Sequence, residues 1–456
     1  VGNDVTISDV HTAATTFDVT AKGAVELASV SDIEGTVTAD TFIIDSAENA
    51  TFETTVANLS VNGVKGVADI MESDDVNMLS GSMPGMLYVT ADGDIVLGNE
   101  TVIAGGVSLT GSQIVVDGDA TVAADQVDVE FNGPVTGNGT LTATADNTVR
   151  FSDNIAQDGR LDVFVRGDVA EFRGDVEVGF IDVAAVSQAL FEHTLTATET
   201  DPYVTTDATN HAIRVSGDQV FFKDDVTATA ENSKIQVVAD ELMLGGDVTG
   251  TEEIDFVGAL TTMLTKDGET TLTAANVRLN DVTIAAGEAK QLVVEGDAEL
   301  HGDIYTNGVT VNGSTALKND VDIFADGGDI VLGAEDADMV SGSHDLVLKA
   351  DNIDVTGNVS VGSLTAEATE GIAFNTNSSF AIADGDITMR ANGDITTATY
   401  TTAGGNVLVS GNAVDLGFVT ARTGDVTVEA TEDLDVNYTV KALRGSVAMN
   451  TEGELA

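Results

Sequence analysis

The sequence predicts an all-β fold, a right-handed parallel β-helix with rungs of about 20 residues. Three observations predict it: apolar and polar residues alternate in short runs, a Gly-Asp-Val/Ile corner recurs, and the alternating runs return at a near-constant spacing. Between Ile382 and Ala456 the residues that open successive major strands are Ile387, Val407, Val426 and Val447, separated by 20, 19 and 21 positions. Alternation of the kind seen at Val407/Val409 and Val426/Val428 sends every second side chain to one face. A single rung cannot bury that face, so stacked rungs must bury it between them.

The same grammar recurs upstream. LYVTADGDIVLG at 87–98 returns as VDIFADGGDIVLG at 321–333, and DVNMLSGSMPGMLYVTAD at 75–92 is echoed by DADMVSGSHDLVLKAD at 336–351. The corner runs from Gly93-Asp94 and Gly174-Asp175 through Gly302-Asp303 and Gly328-Asp329 to Gly424-Asp425. Here Gly is expected to take a positive φ, and Asp to bond its own backbone before the next inward residue. Residues 1–86 are looser in period. A polar stretch at 187–210, containing SQALFEH and Pro202, reads as an irregular loop or joint between sections 1–186 and 211–456, which are expected to form one continuous coil, with AVSQALFEH open to a strand or a helical turn.

Composition fits this architecture. The hydrophobic fraction is 43%, carried by aliphatics, with aromatics at 5%, no Trp, 47 Gly and 3 Pro. A core without large rings is expected, which favours the β-helix over an array of β-sandwiches. Acidic residues number 76 against 18 basic, a net charge of -58. Such self-repulsion is relieved by salt or divalent ions, so a saline or cation-rich medium is expected. Nothing supplies a positive footprint for nucleic acid, and no stretch is apolar enough for membrane insertion. Cysteine is absent, which excludes disulfides and thiolate chemistry but not the cell exterior. Strand-like sequence at both ends leads to the expectation of a processed product or a segment of a larger precursor, and no organic cofactor is expected.

Candidate chemistry is sparse. His11, His193, His211, His301 and His344 are scattered, with no metalloprotease spacing. Calcium wants several hard oxygen donors, and the corners Asp92/Asp94, Asp117/Asp119, Asp384/Asp386 and Glu432/Asp433/Asp435 offer them. Arg160, Phe164, Arg166 and Arg173 form the main basic-aromatic cluster and a candidate binding face. With Asp162 it is also where a polysaccharide-acting enzyme would have to work. The competing reading is local compensation of Asp162, Asp168, Glu171 and Asp175. Asn49, Asn58, Asn99 and Asn312 open N-x-S/T triplets, common by chance in a chain so rich in Asn and Thr.

The units ADGDITMRANGDITT, GNVLVSGNAVDL and GDVTVEATEDLDV resemble the repeats of filamentous haemagglutinin-type adhesins and related large bacterial surface proteins. The resemblance covers 380–456 best, then 86–130 and 320–365. It implies a right-handed β-helix exported to the cell surface, with a role in adhesion, biofilm or envelope structure. The chain departs from that family in lacking its secretion domain and in its acidity. The functional expectation is a non-catalytic extracellular fibre, surface layer or matrix, formed by self-association into a filament or lattice through open β-edges. A stalk or binding segment of an adhesin, meeting cell-surface proteins or glycans, is the alternative.

Overall fold

A computed structural model describes residues 3–8, 15–202, 210–257, 261–266, 268–284, 290–374 and 380–456. Among these every regular element is a β-strand, and the strands stack in parallel in turns of roughly 20 residues, a β-solenoid. The chain forms two compact units, Val1–Val237 and Val238–Ala456.

In the second unit the expected period is the observed one. Ile387 pairs with Val407, Val407 with Val426, and Val426 with Val447. Beside that column runs a second inward one, Ile304, Ile323, Leu348, Ala366, Met389, Val409, Val428 and Met449. Parallel pairing without slippage sets each side chain on the equivalent one in the next coil, so compact aliphatics pile up at the inter-strand spacing of about 4.8 Å.

The first unit corrects the expectation of a ring-free core. One inward column reads Ile70, Val89, Leu109, Phe131, Phe151, Phe172, Phe191 and Phe222. Its five rings lie face to face, with successive centroids 4.7, 5.1, 4.5 and 5.1 Å apart. All five are buried. Sixteen Phe in the chain are a small fraction by composition, yet one per coil at a single register position builds a continuous stack. Each ring gains offset-stacking contacts on both sides in addition to its burial.

The corner chemistry also differs from expectation. None of Gly93, Gly174, Gly302 and Gly424 adopts the left-handed region. What these positions require is room. A Cβ on Gly302 would lie 2.2 Å from Asp281 Oδ1, and on Gly93 2.2 Å from Asp75 Oδ1. An Asp or Asn side chain of the preceding coil passes over each glycine to reach the backbone beyond it. Of the stretch 187–210, Ser187–Phe191 finishes the strand Phe180–Phe191 and Leu195–Ala197 forms another, while 203–209 lie outside the described residues.

Two substitutions test this packing. Phe172→Ala, in mid-stack, is expected to cost about 3–5 kcal/mol in urea unfolding. Gly302→Ala should cost about 1–3 kcal/mol, since the new methyl meets a fixed carboxylate rather than open space. The same change at Gly327, whose virtual Cβ meets nothing, tests the distinction by costing only the strain of its φ of 75°.

Candidate functional site

The polar side chains at the corners form the most extensive chemical feature of the described residues. Asp281 Oδ1 accepts the Asp303 backbone N–H at 2.9 Å, and Asp303 Oδ1 accepts that of Asp322 at 2.8 Å. Asp386 Oδ1 accepts the Asn406 N–H at 2.6 Å, Asn406 Oδ1 that of Asp425 at 3.0 Å, and Asp425 Oδ1 that of Ser446 at 2.7 Å. The first unit repeats the device, with Asn154 accepting from Asp175 at 2.9 Å and Asp175 from Thr194 at 3.3 Å. The corner acid therefore bonds the next coil, not its own backbone. At these points the strand ladder is interrupted and an N–H would otherwise lack a partner, so the side chain continues the ladder through the bend.

Four of the nine candidate calcium ligands fall into this scheme. Asp386 and Asp433 accept backbone N–H groups of the next coil, from Asn406 and, at 3.1 Å, from Glu454. Asp94 and Asp119 are receiving positions, their N–H groups donating to Asp75 at 2.8 Å and Asn99 at 3.0 Å. The Asp92 carbonyl accepts from Ser112 Oγ at 2.6 Å, and the Glu432 carbonyl from the Thr451 hydroxyl. The Asp384 N–H donates to the Val361 carbonyl at 3.2 Å. Asp117 and Asp119 are not in a corner loop. They lie on the strand Gln113–Ala124, either side of Gly118, whose φ of 125° bends it. Asp435 stands outward on Leu434–Val436, in register with Asp415. Among the described residues no three His, Asp or Glu side chains meet in an arrangement that could hold a metal ion.

The basic-aromatic cluster divides into two networks. On one face Arg160 pairs with Asp162 at 2.9 Å and donates to the Thr200 carbonyl at 2.8 Å. Arg166 pairs with Asp182 at 3.0 Å, and Arg214 reaches the same carboxylate at 3.5 Å. Phe164 meets Phe180 edge-on, centroids 5.6 Å apart. Asp162 and Asp182 are buried although they point away from the core. Burial pushes the Asp162 carboxyl above its ordinary range, against the lowering pull of Arg160. On the other network Arg173 joins Glu171 at 3.0 Å, and Arg150 bridges Glu171 and Glu130 at 2.7 Å each. Burial raises Glu171, but the two guanidiniums outweigh it and hold the carboxyl below the ordinary range. The expected compensation is observed for Asp162 and Glu171. Asp168 instead accepts from Ser187 Oγ at 2.5 Å, and Asp175 belongs to the corner ladder. Asp182 and Glu130 escape sequence reasoning because they pair with Arg166, Arg214 and Arg150 across neighbouring coils, which only the register reveals.

Glu72 is a further group that sequence reasoning missed. It points inward at the end of the strand Val67–Glu72 and is buried. It accepts from Thr54 Oγ1 at 2.7 Å, Val56 N–H at 3.1 Å and Ser73 N–H at 3.0 Å. Burial raises its pKa, and those donors offset part of the rise. It lies in a shallow depression of about 380 Å³ with Thr36, Glu53 and Asp92. Of the histidines, His211 lies against Arg214 at 3.3 Å, and His11 is outside the described residues. Asn49 and Asn99, each opening an N-x-S/T triplet, serve as corner acceptors for Val67 and Asp119.

Comparison with protein-family models, curated proteins and solved structures finds no match to the chain. No helix long and apolar enough to cross a membrane occurs among the described residues.

The two kinds of carboxylate respond oppositely to acid. Hydrogen bonds from the Ser446 N–H and hydroxyl lower Asp425, so its contribution is full above the ordinary Asp value of about 3.9 and lost as pH falls through its lowered folded value. Glu72 is raised, so its ionised form opposes folding at neutral pH and that cost is relieved as pH falls through the raised value. Glu72→Gln, compared with the parent by urea midpoint, should gain most at pH 7 and lose its advantage towards about pH 4.3. Glu72→Ala should cost about 1–3 kcal/mol at either pH by orphaning the Val56 N–H. Asp425→Asn should keep the fold and flatten the loss of stability below about pH 3.9.

Proposed function

We propose that the chain is a non-catalytic structural solenoid of the cell exterior, a segment of a filamentous haemagglutinin-like surface protein that self-associates coil on coil. The observation that carries this reading is where the polar side chains are spent. Column after column of Asp and Asn, from Asp281–Asp303–Asp322 to Asp386–Asn406–Asp425, bonds the neighbouring coil along the stack. A molecule that invests its polar groups in axial cohesion is suited to bearing load and holding distance.

A β-solenoid of repeating coils is self-complementary along its axis, because each coil offers the next a parallel β-edge. A coil from a second copy can continue that ladder in a heterologous contact that propagates instead of closing. The charge of -58 makes such contact salt-dependent, because like surfaces approach only when screened.

Sedimentation velocity and electron microscopy of the purified chain across a salt series, with and without Ca²⁺, test the proposal. Assemblies are expected to lengthen as salt rises. A chain that stays monomeric at every salt and calcium concentration, or that forms only a closed oligomer of fixed size, would sink it.

A further inference from the structure

Among the described residues of the second unit two exterior aromatic columns occur, and they differ in ring geometry and in surroundings. Tyr400, Phe418 and Tyr438 stack face to face, 5.0 and 4.4 Å apart with planes within 6° and 18°. Within the stack the facing sides cover one another, while the outer sides of Tyr400 and Tyr438 stay open, the residues being 51% and 57% exposed. Tyr305 and Phe324 are also register neighbours, but their centroids are 6.3 Å apart and their planes 53° apart. They are 45% and 39% exposed, and the tilt leaves their π faces uncovered by each other.

These two rings border a pair of joined depressions. One, of about 270 Å³, is lined by Tyr305, Asp322, Phe324, Val347 and Lys349. The other, of about 250 Å³, shares Phe324 and Lys349 and adds Asp326, Asp351 and Glu367. The relief arises from unequal corners. Asp326–Asp329 separate the strands Val321–Ala325 and Ile330–Leu332, whereas only Asp351–Asn352 separate Leu346–Ala350 and Ile353–Val355 in the next coil. The longer corner stands out as a ledge, with Gly327 at φ 75° facing open space. Four carboxylates line the joined depressions against the single cation Lys349, which already pairs with Glu367 at 3.2 Å.

We infer that this groove binds a lysine- or arginine-bearing peptide segment of a partner protein, one cationic side chain lying over the Phe324 and Tyr305 rings and its neighbours meeting Asp322, Asp326 and Asp351. An organic cation is drawn to an aromatic face and to a concave acidic surface by the same field. An acidic polymer is repelled, and a neutral sugar would have to displace water from the carboxylates without a compensating charge. Binding here goes beyond the structural role and does not require self-association.

The probe is a fluorescein-labelled peptide of four Gly-Lys repeats, followed by anisotropy at about 0.15 M salt. Saturable binding is expected, abolished when the lysines are acetylated. Phe324→Leu removes the π face but keeps apolar bulk and charge, and should weaken binding about fivefold. Tyr305→Leu repeats the test from the adjoining coil, with circular dichroism to verify the fold. Tyr400→Leu, on the stacked column, and Asp92→Asn, in the other unit, should leave affinity unchanged. Equal affinity of Phe324→Leu and Tyr400→Leu would mean diffuse attraction to an acidic surface and would overturn the assignment. So would saturable binding of a neutral hexose oligomer, lost in Phe324→Leu, with none of the peptide.

Discussion

A parallel coil has one weak place, its corner. Along a strand each N–H and C=O finds the neighbouring coil automatically, but where the chain turns the backbone groups splay and one donor per bend is left over. An unpaired N–H at every turn of a long stack would be a cost repeated many times. The chain resolves it with an Asp or Asn whose Oδ1 reaches the N–H of the next coil, as from Asp281 to Asp303 and from Asp425 to Ser446. Glycine follows from the same constraint, because a Cβ on Gly302 would occupy the space of the Asp281 carboxylate. The Gly-Asp-Val/Ile corner is thus one device: room, a bonded N–H with a side chain for the next coil, and the first inward apolar residue.

That device clarifies the acidity. Asp386, Asn406 and Asp425 alternate in one column with near-equal geometry, so the fold needs an acceptor oxygen and not a charge. Asn would serve throughout, and the net charge of -58 is not demanded by the coil. The choice of Asp over Asn at so many exposed bends is then a property of the surface, one that keeps the stack solvated and repels its like unless screened. The arginines at 150, 160, 166, 173 and 214 are the local exception. They gather where Glu171, Asp162 and Asp182 are partly or wholly withdrawn from water and need a counter-charge.

The fold was legible wherever each coil repeats the same short phrase. Ile387, Val407, Val426 and Val447 announce their pairing because one corner and one strand recur between them. It was less legible in residues 1–86, where Val30–Ile44 and Ala47–Asn62 run through bends as single long strands without that corner. The Phe131–Phe222 stack was hidden for a different reason. One ring per coil is unremarkable in composition, and only the register reveals that the rings share a column. The ion pairs of Asp182 and Glu130 were hidden likewise, since separations near a coil length look unrelated along the chain. Local motifs could be read directly; whatever depends on the phase between coils could not.

A solenoid with a uniform cross-section offers a ligand nothing but repetition, so recognition must come from departures from the repeat. Two kinds occur in the second unit. The corner at Asp326–Asp329 is longer than its neighbour, which raises a ledge, and the Tyr305–Phe324 column breaks off into Lys349, Glu367 and Arg390 instead of continuing in rings. The second departure explains the tilt. A ring with a ring on both sides, like Phe418, is held parallel by both, whereas Phe324 has a flexible cation on one side and only Tyr305 on the other. The regular Tyr400–Phe418–Tyr438 ladder therefore adds ring-to-ring cohesion between coils, and the interrupted one leaves its two rings tilted apart. The same outward-facing register position gives either arrangement, depending on what the adjacent coils carry there.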